Sequence, residues 1–360
     1  MTSNIQQFFH KAHRALKDLF AVESKVALAG IDFSSISLSL VQLKKTNNGY
    51  SLEHFDRLTP SAGVIANGKV VDAEKLSQAF KKIIETSQCT ASGSAIALPG
   101  NQALTKEFTL MHKLSDFELQ QKVSLKEREL FKGASDKFYS DYVQTSSIDA
   151  NNNLMYKLAV IAVHKNTVKS LLGTAKTASI ATKVLDVDHY ALARTIKLIA
   201  PQLPKKFDDM NIAFVNLGIN SFTIVIIHKD AIRFSKRVDF NNPTIERHMQ
   251  SLLMKNDDAS APEITPEDKE LMMSQISKLI TAFKDNYRNQ NIDQIILSGE
   301  LAIINNIDKE IHDKFTTEVI RWNPFSNMTI AKEINKEKLK KIAPLLAISC
   351  GLAMREVSND

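Results

Sequence analysis

The chain has 360 residues, 44% of them hydrophobic, and a formal net charge of +6. That is enough for a substantial core, in two domains or one large divided body, and no window approaches the run of apolar residues that spans a membrane. The nine histidines lack ligand spacing, the two cysteines form no metal or redox motif, and no basic run carries interleaved aromatics. Metal catalysis and a nucleic-acid partner are therefore not expected.

Residues 4–20 read as a basic amphipathic helix. Ile5, Phe8, Phe9, Ala12, Leu16, Leu19 and Phe20 fall on one face, with Lys11, His13, Arg14 and Lys17 off it. Such a helix either packs on its own domain or rests on an anionic membrane surface. Charges interrupt this apolar stretch and no small-residue cleavage site follows, so a signal peptide is not expected and a cytoplasmic location is.

From Val26 the pattern turns to strands, near 26–32, 36–43 and 50–57. Asp72 then caps a helix carrying Leu76, Phe80 and Ile83. Strands Ser94–Leu98 and Ala103–Leu110 flank a Pro99-Gly100-Asn101 turn. A charged helix near 116–132, strands near 140–147 and 154–163 joined by the polar Asp149–Asn153 loop, and a helix from about 165 follow. Val184–Val187 reads as a buried strand, and Asp188 as the cap of the next helix. Pro201 to Asp209 looks like a hinge.

The second half opens on Ile212–Ile226, an apolar hairpin around Asn216-Leu217-Gly218, with a third strand, Ile232–Val238, after a Lys229-Asp230 turn. Beyond a polar stretch, Lys255–Pro262, Thr265 and Pro266 begin a helix striped with Met272, Ile276, Leu279, Ile280 and Phe283. Strand Gln294–Leu297, the turn Ser298-Gly299-Glu300, a helix over 301–313, a strand near 317–321 and a helix over Ala343–Met354 close the chain. Each half thus starts with a meander of strands and then interleaves helices and strands. That order predicts an α/β fold of mixed sheets, of the ribonuclease-H/actin type, with an inserted α+β subdomain.

The hairpin at Val26–Val41 matches the one at Ile212–Ile226. Each is an apolar strand, a short polar turn and a second apolar strand. Two such turns facing across a cleft offer backbone N–H groups to phosphates, and a carboxylate beside one holds a hydrated divalent cation. The first turn has Asp32; the second has Asn216. Either residue can also simply cap its own turn.

The pieces Gly30-Ile31-Asp32-Phe33-Ser34-Ser35, Ala97-Leu98-Pro99-Gly100, Val187-Asp188, Asn216-Leu217-Gly218 with Thr223, Leu297-Ser298-Gly299, Trp322-Asn323-Pro324-Phe325 and Leu346-Ala347-Ile348 occur in the order found in the PilM family of type IV pilus assembly proteins, which the chain resembles after residue 25. The resemblance implies a two-lobed actin-like fold related to FtsA. Residues 26–105 and 184–203 would form the first lobe, 106–183 the inserted subdomain and 204–360 the second lobe, with 1–25 an extension. It also implies ATP and magnesium in the cleft. Gly30 and Asp32, with the metal at Asp32, Ser34 and Ser35 would form the first phosphate turn. Asn216, Gly218 and Thr223 would form the opposing loop, and Ser298 and Gly299 would lie under the adenosine.

Four departures from the family pattern all fall in these loops. Ser34 replaces a glycine, Ser39 a lysine, Asn216 an aspartate, and Glu300-Leu301 a pair of glycines. They imply a cleft that keeps its shape while its catalysis is weakened or lost. The expected function is a cytoplasmic scaffold of the pilus machine, peripheral to the inner membrane, which holds the N-terminal tail of a PilN-like membrane protein. An active ATPase or kinase of the same superfold is the alternative. A type II secretion component is a third reading, although such proteins usually continue into a membrane helix.

Overall fold

The computed structural model describes residues 25–131, 134–148, 154–199, 210–228, 231–254, 264–287 and 290–358. The helix expected over 4–20, the 149–153 loop, the 201–209 hinge, the Lys229-Asp230 turn and the 255–262 stretch lie outside them.

Strands β1 (Lys25–Phe33), β2 (Leu38–Thr46) and β3 (Gly49–Leu58) form a meander, and the short pair β4 (Ile65–Ala66) and β5 (Lys69–Val70) leads to helix α1 (Ala73–Ser87). Asp72 caps α1 as the sequence predicts, its carboxylate accepting from the Lys75 N–H at 3.0 Å. Strand β6 (Gly93–Leu98) pairs parallel to β1. Strand β7 (Ala103–Leu110), helix α2 (Asp116–Phe131), strands β8 (Phe138–Ile148) and β9 (Leu154–His164) and helix α3 (Lys165–Thr177) come next. Of these, β7, β9 and β8 make a separate three-stranded sheet in that order, with β7 and β8 as its edges.

The chain re-enters the first sheet as β10 (Thr182–Val187), beside β6. Helix α4 (Asp188–Arg194) and the short α5 (Ile196–Ile199) complete this half. The sequence reads Asp188 as the helix cap, but Val187 holds that position and Asp188 is the first helical residue. Its carboxylate is thereby free to bond outside the helix.

In the second half β11 (Ile212–Leu217), β12 (Ser221–His228) and β13 (Ala231–Asp239) repeat the meander. Helices α6 (Pro243–Met254) and α7 (Pro266–Asn286) follow, then β14 (Gln294–Ser298), α8 (Ile307–Phe315) and β15 (Glu318–Arg321). The five strands order as β13-β12-β11-β14-β15. The apolar stripe of α7 is core, not a partner face: Met272, Ile276, Leu279 and Phe283 are fully shielded. Instead of one helix over 301–313 there is a 3-10 turn at Glu300–Ile303 and then α8, divided at Asn306, whose φ of 58° breaks the helical run.

The end of the chain returns to the first sheet. Strand β16 (Thr329–Ile330) pairs with β3, and strand β17 (Glu356–Ser358) pairs with β1. Between them, helices α9 (Lys336–Ile342) and α10 (Ala347–Ala353) pack on its inner face. Leu339, Leu346 and Cys350 there join a core with Val41, Leu43 and Leu52. A further departure from the linear division of the sequence is α3, whose Val168, Leu171 and Ala175 lie in the first-lobe core with Phe80 and Ile96. In both cases apolar side chains cover the nearest open sheet face, whatever their place in the chain.

Candidate functional site

The two hairpins are copies in register. Asp32 stands opposite Ser39, and Ser39 opposite Arg57. Asn216 stands opposite Thr223, and Thr223 opposite Arg237. Residues directly opposed on neighbouring strands share a face, so Asp32–Ser39–Arg57 and Ser298–Asn216–Thr223–Arg237 are two polar rungs, one per lobe. The turns close identically: the Ser34 N–H donates to Ser37 O at 2.6 Å, and the Gly218 N–H to Ser221 O at 3.0 Å.

That closure limits what the turns offer a phosphate. The Ser34 Oγ accepts from the N–H groups of Ile36 and Ser37 at 3.3 and 3.1 Å, so the hydroxyl and three N–H groups of this turn bond within it. Ser35 is buried, and its Oγ has no hydrogen-bond partner among the described residues. At the tip, Ile36 is fully buried in the second-lobe core with Leu217 and Phe222, and the Arg57 guanidinium donates to its carbonyl at 2.8 Å. An apolar side chain of the first turn thus fastens the lobes together.

Gly30 has a packing role: a Cβ there would lie 2.0 Å from Ser349 O and 2.5 Å from Ala353 N, because α10 presses on β1. Ser39 shares a hydrogen bond with Ser349 at 3.1 Å on the same helix. Ser298 donates to Asn216 Oδ1 at 3.1 Å. Gly299 has a φ of 91°, and a Cβ would meet Leu217 O and Asn216 Oδ1 at 2.7 and 2.8 Å, so only glycine fits. A methyl on Gly218 would stand 3.5 Å from Glu300 Oε2, which sets a carboxylate beside the second turn.

The electrostatics are acidic. Burial raises the Asp32 carboxyl well above its ordinary value, and the charges of Glu300 and Asp188 add to the rise. Asp32 is half-buried, so this direction reflects its neighbours as well as lost water. Burial also works to raise Asp188, but bonds from His189, the charge of Arg237 and the Gly100 N–H outweigh it and leave the group below its ordinary value. Among the described residues no cluster of three or more His, Cys, Asp or Glu side chains is placed to hold a metal ion.

The three-stranded sheet carries a second feature, one that no local pattern announces. A groove of about 400 Å³ opens at the end of the β7 edge, lined by Leu110, Met111, Leu114, Glu118, Lys122 and Leu125. Met111 is fully exposed, and Phe117 and Leu125 are more than half exposed. The wall is fixed from behind, where Gln144 Oε1 accepts from the Leu114 N–H at 2.8 Å and its Nε2 donates to Leu114 O at 3.1 Å.

Two mixed sheets built on duplicated meanders, each closing its first hairpin in a short polar turn, define an actin-like protein. The solved structure of a PilM-PilN type IV pilus biogenesis complex superposes with a TM-score of 0.72 at 15% identity, covering 92% of this chain and 98% of that one. Ethanolamine utilization protein EutJ from Carboxydothermus hydrogenoformans gives 0.46 at 12%, covering 98% and 99%. MreB5 of Spiroplasma citri bound to AMPPNP gives 0.42 at 12%, covering 90% and 94%. At 15% identity the likeness to the first of these is one of fold alone. The sequence profile of type IV pilus assembly protein PilM matches residues 30–357, and the chain belongs to that family.

Proposed function

We propose that the protein is a scaffold of the type IV pilus assembly machine that holds the N-terminal segment of a PilN-like inner-membrane protein in the groove at the β7 edge. The observation that carries this is an open groove, apolar over most of its lining surface, beside a sheet edge that no described strand pairs with, in a member of the PilM family. An extended peptide adds to such an edge through main-chain bonds and sets alternate side chains in the groove. The likeness to a PilM-PilN complex supports the choice of partner. No helix among the described residues is long and apolar enough to cross a membrane, so in this reading the partner supplies the attachment to the cytoplasmic face of the inner membrane.

The cleft, in the same reading, binds a nucleotide without hydrolysing it. Asp32 and Ser34 face it from the first lobe and Asn216, Gly218 and Thr223 from the second, the buried Gly30, Ser35, Ser298 and Gly299 shape the turns behind them, and Asp32 meets a magnesium through its water shell. A bound nucleotide supplies phosphate charge that braces the two lobes. Asn216 cannot take a proton from water as a carboxylate does, and it is already tied to Ser298.

The test is fluorescence anisotropy with a labelled N-terminal peptide of the cognate membrane partner. Saturable binding is expected, with at least about tenfold weaker binding by Met111→Glu, since burying an unpaired carboxylate in an apolar groove is costly. Met111 is fully exposed, so the fold is not at risk. Equal binding by both proteins would remove the groove from the account.

A further inference from the structure

Arg57 and Arg237 occupy the same position in the two meanders, yet their guanidinium groups are bonded differently. Arg57 donates from Nε to Ser37 Oγ at 3.2 Å and from Nη2 to Ile36 O at 2.8 Å and Thr59 Oγ1 at 2.9 Å, all on its own lobe. Arg237 crosses between lobes. Its Nη1 reaches Asp188 Oδ2 at 3.3 Å, and it would lie 3.0 Å from a Cβ on Gly100. Among the described residues its Nε, shut from solvent, has no hydrogen-bond partner, the carboxylate of the exposed Asp239 being 3.9 Å away.

The Asp188 contact is long for a charge-assisted bond, which ordinarily spans about 2.7–2.9 Å. Asp188 does not depend on it. The carboxylate accepts from the Gly100 N–H at 2.9 Å and the His189 N–H at 2.6 Å, and faces the His189 ring at 3.3 Å. The guanidinium can therefore leave without stranding Asp188, whereas it now holds one weak bond and an unused donor. The charge of Asp188 also bears on Asp32, so the arginine is anchored within electrostatic reach of the first turn. Ser39, held by Ser349, brings no charge there, and Asp32 and Glu300 both repel anions.

We propose that Arg237 is the phosphate-contacting residue of the cleft, its guanidinium turning from Asp188 to a phosphate group of a nucleotide that enters between the two hairpin turns. This rests on the reading of the cleft as a nucleotide site. It assigns the cation that the first lobe lacks at Ser39 to the opposite lobe, on the rung that carries Asn216 and Thr223. A planar fork suits phosphate oxygens, which it can meet with two parallel bonds.

Isothermal titration of the full chain with ATP, inorganic tripolyphosphate and adenosine tests this, using wild type, Arg237→Gln and Arg237→Lys. The expected result is ATP binding weakened at least about tenfold by Arg237→Gln, the usual cost of a lost charged hydrogen bond. Arg237→Lys should fall between, and adenosine should bind all three alike. Should Arg237→Gln melt early, Arg237→Lys carries the test through its loss of the fork. Unchanged ATP affinity in the variants would overturn the assignment and leave the nucleotide cleft standing. Equal losses for ATP and adenosine would also overturn it, as general damage to the cleft. Wild-type binding of tripolyphosphate as tight as that of ATP would replace the nucleotide with free polyphosphate. No binding of any probe by wild type would remove both readings.

Discussion

The Ser298 hydroxyl donates to the Asn216 carboxamide oxygen at 3.1 Å, across the parallel pairing of β11 and β14. The amide is therefore part of the sheet's own bonding. Asn216→Asp keeps this acceptor but adds a third negative charge near Asp32 and Glu300. The variant should fold, lose stability relative to wild type by an amount that grows as pH rises from 4 to 7, and release no phosphate from ATP. The sign follows from a carboxyl whose pKa is raised in the folded state, so that folding binds protons. Urea midpoints at several pH values check it.

Asp32 obeys the same rule in the wild-type protein. Its folded pKa is raised by burial and by Glu300 and Asp188, so its ionisation opposes folding once pH exceeds the unfolded value. Asp32→Asn should melt higher than wild type at pH 7, with the gain fading below pH ~4. A lower melting temperature at pH 7 would mean that Asp32 makes a stabilising contact in the turn.

Asp186 has the opposite sign. Burial works to raise it, but Arg194 at 2.6 Å and Arg355 at 2.9 Å outweigh that and lower it to about 2. Its contribution is full above the unfolded value and is lost as pH falls towards 2. The network holds α4 to the chain's end, since Arg194 also donates to Gly351 O at 2.7 Å. Asp186→Asn should cost about 3–5 kcal/mol at pH 7 by breaking a buried ion pair, and the gap to wild type should narrow below pH ~4. Paired denaturant melts at pH 7 and pH 3 measure this.

Two glycine substitutions should differ in sign. Gly30→Ala drives a methyl into the backbone of α10 at 2.0 Å and should cost about 3 kcal/mol or more. Gly173 sits exposed inside α3 with open space around it, so Gly173→Ala should stabilise by about 0.5–1 kcal/mol. Denaturant titrations of the two variants side by side give both signs.

The duplicated meander was legible because apolar strands around a polar turn form the same pattern twice, at Val26–Val41 and Ile212–Ile226. The core stripe of α7 was legible for the same reason. The return of β16 and β17 to the first sheet was not, since strands of two or three residues carry too little periodicity to register. Within the site, Asp32 and Asn216 could be found because each sits at a turn. Arg237 lies mid-strand, and only pairing register places it on the Asn216 rung. The groove at Met111 joins the end of one strand to a helix, which no local pattern encodes.

The division of labour proposed for this chain is a partner groove kept open and a nucleotide cleft without hydrolysis. The direct measurement is phosphate release from ATP with magnesium, under conditions where bound ATP is verified by titration. The account predicts saturable binding and no turnover above the buffer rate. Sustained phosphate release that Asp32→Ala abolishes would contradict it.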